Sequence, residues 1–280
     1  QYFPAYDLKQ CICLYALLDG LPGLWKHIDT TLSVKENVVR NMLDTDGFFL
    51  REAMSEVSEE LRETAVYNTI LTGLAEGRNT LQELYSHTGF SRAKISVYLK
   101  SLMELELVEK VFSFDTEGHA NTKKGYYRIK SHLVDFYYRF VYPHASDAEL
   151  LSGKAFYEKY IEKDFRAFVD VHFKEICREY MEGENTAGKL PFALTKIGEW
   201  IGKQGCVDIV GSTEGENCLI GACFFMPMVT YELYEELLLA AKQAKIAYSY
   251  IYLFGIDRFD GKLLLEARVK KNIRLVNLGE

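Results

Sequence analysis

Residues 80–102 read Thr80-Leu81-Gln82-Glu83-Leu84-Tyr85-Ser86-His87-Thr88-Gly89-Phe90-Ser91-Arg92-Ala93-Lys94-Ile95-Ser96-Val97-Tyr98-Leu99-Lys100-Ser101-Leu102. Thr80 and Glu83 have the spacing of a capping box, in which hydroxyl and carboxylate each satisfy an orphan backbone N–H, so a helix starts here. Gly89 stops it. Ser91 is placed to cap a further helix whose inner face is Ile95, Leu99 and Leu102. On the N-terminal side, Val66, Tyr67, Ile70, Leu71 and Leu74 mark one face of a preceding helix ended by Gly77. On the C-terminal side, Leu107-Val108-Glu109-Lys110-Val111-Phe112, a polar glycine-bearing turn, and Tyr126-Tyr127-Arg128-Ile129 form a hairpin by pattern. Three helices followed by a hairpin predict a winged helix-turn-helix over residues 61–130.

The flanks differ in texture. Residues 1–60 read as short helices. Leu8 to Leu18 is apolar at helical spacing and is broken by Asp19-Gly20-Leu21-Pro22-Gly23, and another helix is predicted from Ser33 to Leu43. Beyond residue 130, Val134 to Tyr142 predicts an aromatic helix ended by Pro143. Helices over 155–163 and 164–182 follow, then strands at Val207–Val210 and Leu219–Met226, a helix over 230–244, and strands at Tyr248–Phe254 and Ile273–Leu278. This succession implies a small mixed α/β domain over 131–280 and an α+β class for the chain.

Composition bounds the rest. The 280 residues are 48% hydrophobic and 26% charged with only 5 prolines, which suits about two domains and excludes disordered and collagenous classes. The net charge of −7 argues against a uniformly basic surface, although one face can still attract a polyanion. Six cysteines lie in apolar runs without CxxC pairing, so reduced core thiols are expected and no metal site is. The longest apolar run, Leu219 to Val229, is too short to cross a bilayer and contains Pro227, and no secretory leader is legible. A cytoplasmic protein with no membrane partner is expected. The first residue is Gln1 rather than Met, which predicts a piece of something longer.

Motifs for chemistry are sparse. Gly183-Glu184-Asn185-Thr186-Ala187-Gly188-Lys189 nearly spells a phosphate-binding P-loop, but a helix precedes it and Leu190 stands where a magnesium-holding hydroxyl belongs. There is no HExxH and no GxSxG. Arg92, Lys94 and Lys100 on the third winged-helix element, with Lys123 and Lys124 in the wing, are the candidate DNA contacts. Helix geometry turns Lys94, Val97 and Lys100 away from the inner face. Glu104, Glu106, Glu109, Asp115 and Glu117 lie nearby and are expected to weaken that field.

In this order the features resemble the C-terminal half of the archaeal-type family of prokaryotic P-loop ATPases. Gly20-Leu21-Pro22-Gly23-Leu24-Trp25 looks like the family's lid motif, and Leu74-Ala75-Glu76-Gly77 with Thr80 and Glu83 looks like its winged-helix entry. Gly125-Tyr126-Tyr127-Arg128-Ile129 followed by Phe136-Tyr137-Tyr138-Arg139-Phe140-Val141-Tyr142-Pro143 looks like its most specific junction. The resemblance implies a helical lid-like segment over 1–60, the winged helix over 61–130, and a degenerate PD-(D/E)XK (restriction-endonuclease-like) domain over 131–280. It also implies that ATP and Mg²⁺ belong to an N-terminal ATPase half not contained in this sequence, which would be a partner of these domains. No cofactor is expected within these 280 residues.

Members of that family with a complete nuclease set read Phe-Glu, Glu-Ile-Asp and Glu-Cys-Lys, where carboxylates hold Mg²⁺ and the lysine orients attack. The corresponding residues here are Phe173-Lys174, Cys206-Val207-Asp208 and Ala222-Cys223-Phe224. Only Asp208 survives; Lys174, Ala222 and Phe224 replace the other groups. The expectation is a non-catalytic recognition module that binds DNA or a protein through the winged helix and the last domain. The competing readings are a metal-dependent nuclease built from Asp208 with Glu175 or Glu216, the latter sharing the turn between strands with Glu214, and a purely protein-binding scaffold. Asp260-Gly261-Lys262 mimics the catalytic dyad in spacing but reads as a glycine turn.

Overall fold

The computed structural model describes residues 3–58, 64–116, 125–202, 205–214 and 216–279. It divides into two compact units. One comprises Gln1–Tyr6, Cys13–Val111 and Gly125–Phe168, and the other comprises Asp7–Ile12, Phe112–Lys124 and Val169–Glu280.

Local signals build the first unit. Helix α1 (Leu8–Leu18) is followed by α2 (Pro22–Trp25), which opens on a proline whose missing N–H would have had no helical partner. Ser33 caps α3 (Val34–Met42) in a capping box with Glu36, and α4 (Phe48–Ser58) follows the Asp46-Gly47 turn. The winged helix comprises α5 (Thr64–Ala75), α6 (Leu81–Thr88) and α7 (Arg92–Glu104), then β1 (Val108–Phe112) paired with β2 (Gly125–Ile129). The Thr80 hydroxyl accepts from the Glu83 N–H at 3.2 Å, and the Glu83 carboxylate accepts from the Thr80 N–H at 2.9 Å. Gly89 ends α6 at φ 70°, a conformation that L side chains rarely adopt. Ile70, Leu71, Leu84, Ile95, Leu99, Leu102 and Ile129 close one core with Val134 and Tyr138. The Tyr127 N–H donates to the Asn79 carbonyl at 2.7 Å, tying the α5–α6 connection to the wing.

The aromatic stretch departs from expectation. After α8 (His132–Phe136) the chain makes a π-helical turn over Tyr137–Val141 and a 3₁₀ turn over Tyr142–His144, then continues as α9 (Ala145–Leu150) and α10 (Gly153–Tyr160). Pro143 does not end the helical path. It falls in the first turn of a new segment, where its missing N–H breaks no hydrogen bond.

The second unit is a layered α/β structure. Helix α11 (Phe165–Thr186) leads into three antiparallel strands, β3 (Lys196–Gly202), β4 (Gly205–Thr213) and β5 (Glu216–Cys223). Helix α12 (Tyr231–Ala244) then crosses to β7 (Tyr250–Gly255), and α13 (Gly261–Val269) crosses to β9 (Ile273–Asn277). Both later strands run parallel to β5, giving the order β3-β4-β5-β7-β9. The short strands β6 (Met228–Val229) and β8 (Arg258–Phe259) form a separate parallel pair. Val210, Ile220, Tyr234, Leu237, Ala241 and Leu253 form the core beneath α12.

Several sequence expectations are corrected here. Strand β3 is not legible from pattern because it has a bulge between Gly198 and Trp200, mixes glycines with charges, and buries no residue fully. Asp260-Gly261-Lys262 is not a glycine turn: Asp260 caps α13, accepting from Leu263 N–H at 2.7 Å and Tyr231 N–H at 2.6 Å. The P-loop-like stretch is the last turn of α11, terminated by Gly188 at φ 66°. Cys177 and Cys223 are buried as expected of core thiols, whereas Cys206 is exposed. No helix among the described residues is long and apolar enough to cross a membrane.

Candidate functional site

Two regions carry residues that the sequence singled out. On α7 the Ser91 hydroxyl accepts from the Lys94 N–H at 3.2 Å and fixes the helix start. Ile95, Leu99 and Leu102 face inward, which leaves Arg92, Lys94, Ser96, Val97 and Lys100 exposed on the outer side. Lys94 lies 4.6 Å from the Phe90 ring centroid and 5.7 Å from that of Tyr98. Arg92 donates to the Gln82 side chain and covers the Tyr85 ring at 5.2 Å. Lys100 has a loose i,i+4 contact with Glu104 at 3.7 Å. Val97, at 63% exposure, is an apolar group in the middle of this cationic face. Lys123 and Lys124 lie outside the described residues, as does Glu117.

Two of the neighbouring carboxylates oppose this field less than expected. Glu109 pairs with Arg128 at 2.6 Å, and Glu106 pairs with Lys130 at 2.8 Å. The Lys130 ammonium beside Glu106 holds that carboxyl below its usual range. These pairs form because residues 106 and 109 flank the start of β1 while 128 and 130 flank the end of β2, so hairpin register brings them together.

In the second unit, Lys174 on α11, Asp208 on β4, Ala222 on β5 and Phe224 just after it all line one cavity of about 390 Å³. The positions implied by the family resemblance therefore converge. Their chemistry is that of an internal salt bridge. The Lys174 Nζ lies 2.7 Å from Asp208 Oδ1, the Cys206 thiol donates to the same oxygen at 3.7 Å, and the Cys223 N–H donates to Oδ2 at 3.0 Å. Asp208 is nearly buried, its side chain only 9% exposed. Burial works against the charge on Lys174, but the attraction of Asp208 outweighs it and holds the ammonium above its ordinary pKa. Burial also pushes the Cys177 and Cys223 thiols up; at Cys206, exposed as a residue, partial desolvation of the sulfur together with the Asp208 charge does the same, so none is poised as a thiolate.

The substitute carboxylates do not join this group. Glu175, one residue along α11, does not line the cavity, and Glu214 is exposed in the β4–β5 turn at φ 38°. The Glu216 side chain lies outside the described residues. Asp170 does line the cavity, one helical turn before Lys174, and accepts from the Phe225 N–H at 2.6 Å. Sequence reasoning misses Asp170, although its i, i+4 spacing from Lys174 is a signal that could have found it.

Comparison with known proteins separates these two regions. Residues 68–110 match the family described as bacterial regulatory protein, arsR family. The chain contains a helix-turn-helix. Residues 137–230, which include Lys174, Asp208 and Ala222, match a family described as archaea bacterial proteins of unknown function. An uncharacterized protein of Methanocaldococcus jannaschii is 27% identical over 217 residues, covering 78% of this chain and 48% of that protein. The chain thus spans about half the length of the curated relative it matches. No solved structure matches it.

Proposed function

We propose that this chain is a non-catalytic recognition module that binds DNA with the exposed face of α7. The observation that carries the reading is the outer side of that helix. It presents Arg92, Lys94 and Lys100 around Val97 and bears no carboxylate before Glu104. Cations at this spacing meet phosphates and base edges in a major groove, and an exposed valine suits a thymine methyl. The helix-turn-helix match over residues 68–110 supports the same reading.

The second unit is proposed to be a degenerate nuclease-like domain retained for its shape. The succession of helix, three antiparallel strands, helix and parallel strand supports this, as does the convergence of Lys174, Asp208, Ala222 and Phe224. A metal-dependent nuclease needs several carboxylates open to a cation. Here Asp208 is already neutralised by an ammonium 2.7 Å away. Following the resemblance, both units are proposed to serve a longer P-loop ATPase, coupling a bound partner to its nucleotide state.

The test is fluorescence anisotropy with duplex DNA over a salt series, alongside a cleavage assay with Mg²⁺ or Mn²⁺. Binding is expected to weaken with salt. Lys94→Glu with Lys100→Glu should flatten the slope by about two, one for each phosphate that is no longer neutralised. No binding at low salt would point to the protein-binding scaffold. Cleavage abolished by Asp208→Ala would overturn the non-catalytic reading.

A further inference from the structure

The aromatic junction Tyr137–Val141 plays no part in the proposed function, yet it positions a charged group in an unusual way. Its five residues form a π-helical turn, a distortion found often at functional positions because it redirects side chains. Arg139 sits in that turn. Its guanidinium carbon lies 5.6 Å from the Phe140 ring centroid and 5.9 Å from that of Phe168, two buried rings that hold it in place. Among the described residues, no carboxylate, carbonyl or hydroxyl accepts a hydrogen bond from this guanidinium. It lines a cavity of about 500 Å³ together with Glu76, Arg78, His144, Tyr160 and Asp164.

The other lining groups narrow what could enter. Glu76 is occupied by Arg78 at 2.9 Å and approached by His87 at 3.8 Å. His144 stacks on Tyr160 with ring centroids 3.8 Å apart, and the Tyr160 hydroxyl donates to Asp147, which fixes the stack. Asp164 is exposed. The cavity therefore offers an anchored guanidinium fork, an imidazole and one unengaged carboxylate. A fork of parallel N–H donors fits a two-oxygen anion, whereas Glu76 and Asp164 would repel a multiply charged one.

We propose that this cavity binds a small, singly charged oxyanion, with Arg139 as its principal ligand. The group would be the carboxylate of a small metabolite or a singly charged phosphodiester, two sources of the same chemistry.

Acetate and dimethyl phosphate are the probes for these two sources, and inorganic phosphate near neutral pH supplies a more highly charged comparison. Each is titrated at ionic strength held constant with chloride, following arginine Nε–H resonances by NMR. A saturable shift of the Arg139 resonance, absent from that of the exposed Arg92, is the expected result. Arg139→Lys keeps the charge but removes the fork and should weaken the bound probe about tenfold. Asp164→Asn should tighten binding and bring inorganic phosphate closer to acetate. Whichever of acetate and dimethyl phosphate saturates at lower concentration identifies the source. Shifts that never saturate, or an affinity unchanged in Arg139→Lys, would overturn the proposal. Where Arg139→Lys proves unfolded by circular dichroism, unchanged affinities in Asp164→Asn would overturn it equally.

Discussion

Lys94 and Lys100 on α7 and Lys174 on α11 are the same residue type put to opposite uses. The first two project from a helix whose inner face is apolar, so their ammonium groups remain in water near weak partners. The third is held against a nearly buried carboxylate and shields it. The contrast shows that a lysine's use is set by what lies beneath its stem. A solvated cation is available to a polyanion, and a cation locked to an internal acid is not.

The comparison is most easily broken at Lys174. Replacing it with methionine leaves Asp208 charged, nearly buried and without its ammonium. Removing one partner of a fully buried pair costs about 3–5 kcal/mol. The Lys174 side chain is 34% exposed, so water makes up part of that loss and about 2–3 kcal/mol is expected, read from the urea midpoint. Lys174→Met combined with Asp208→Leu should recover most of it, because the pair then vanishes without leaving a charge behind. The pH dependence has a defined sign. A lysine whose folded pKa is raised contributes stability that is fully present below its unfolded value and lost as pH rises above it. Here that unfolded value is 10.5, so the gap between parent and Lys174→Met should stay constant through neutrality and shrink in strong alkali.

A comparable loss is expected in the first unit from Leu99→Ala. Leu99 is fully buried in the same core as Ile70, Leu84 and Ile129, and truncation there costs about 2–5 kcal/mol. DNA binding should fall with the folded fraction, which separates this variant from a surface change. Thr80→Ala sharpens the local argument by removing one half of a reciprocal cap. About 1 kcal/mol of thermal stability should disappear, with little change in DNA affinity of the folded protein. The smallest stability effect belongs to Lys94→Glu with Lys100→Glu, within about 0.5 kcal/mol, because both side chains are exposed. Its effect on DNA binding should be the largest of the set.

What is legible in the sequence concerns contacts made over a few residues. Thr80 and Glu83, Gly89 and Ser91 act within one helical turn, and the Ile95, Leu99, Leu102 stripe needs only helical geometry to define a face. Where longer-range pairing rules, legibility fails. Strand β3 looks unremarkable until β4 supplies its hydrogen bonds, and Asp260 looks like part of a loop until its carboxylate caps α13 and meets the Tyr231 N–H. Pro143 misleads for a related reason: the π-helical turn upstream changes the position of the helix at which it falls.

The sequence alone therefore determined the winged helix and its outward lysines, since residue identity and short spacing suffice for each. That Lys174 reaches Asp208, that Glu106 and Glu109 are paired with cations, and that Arg139 rests on two buried rings were decided by tertiary structure. Lys174 and Asp208 stand 34 positions apart, and Glu106 and Lys130 stand 24 apart, distances that only packing and strand register can close.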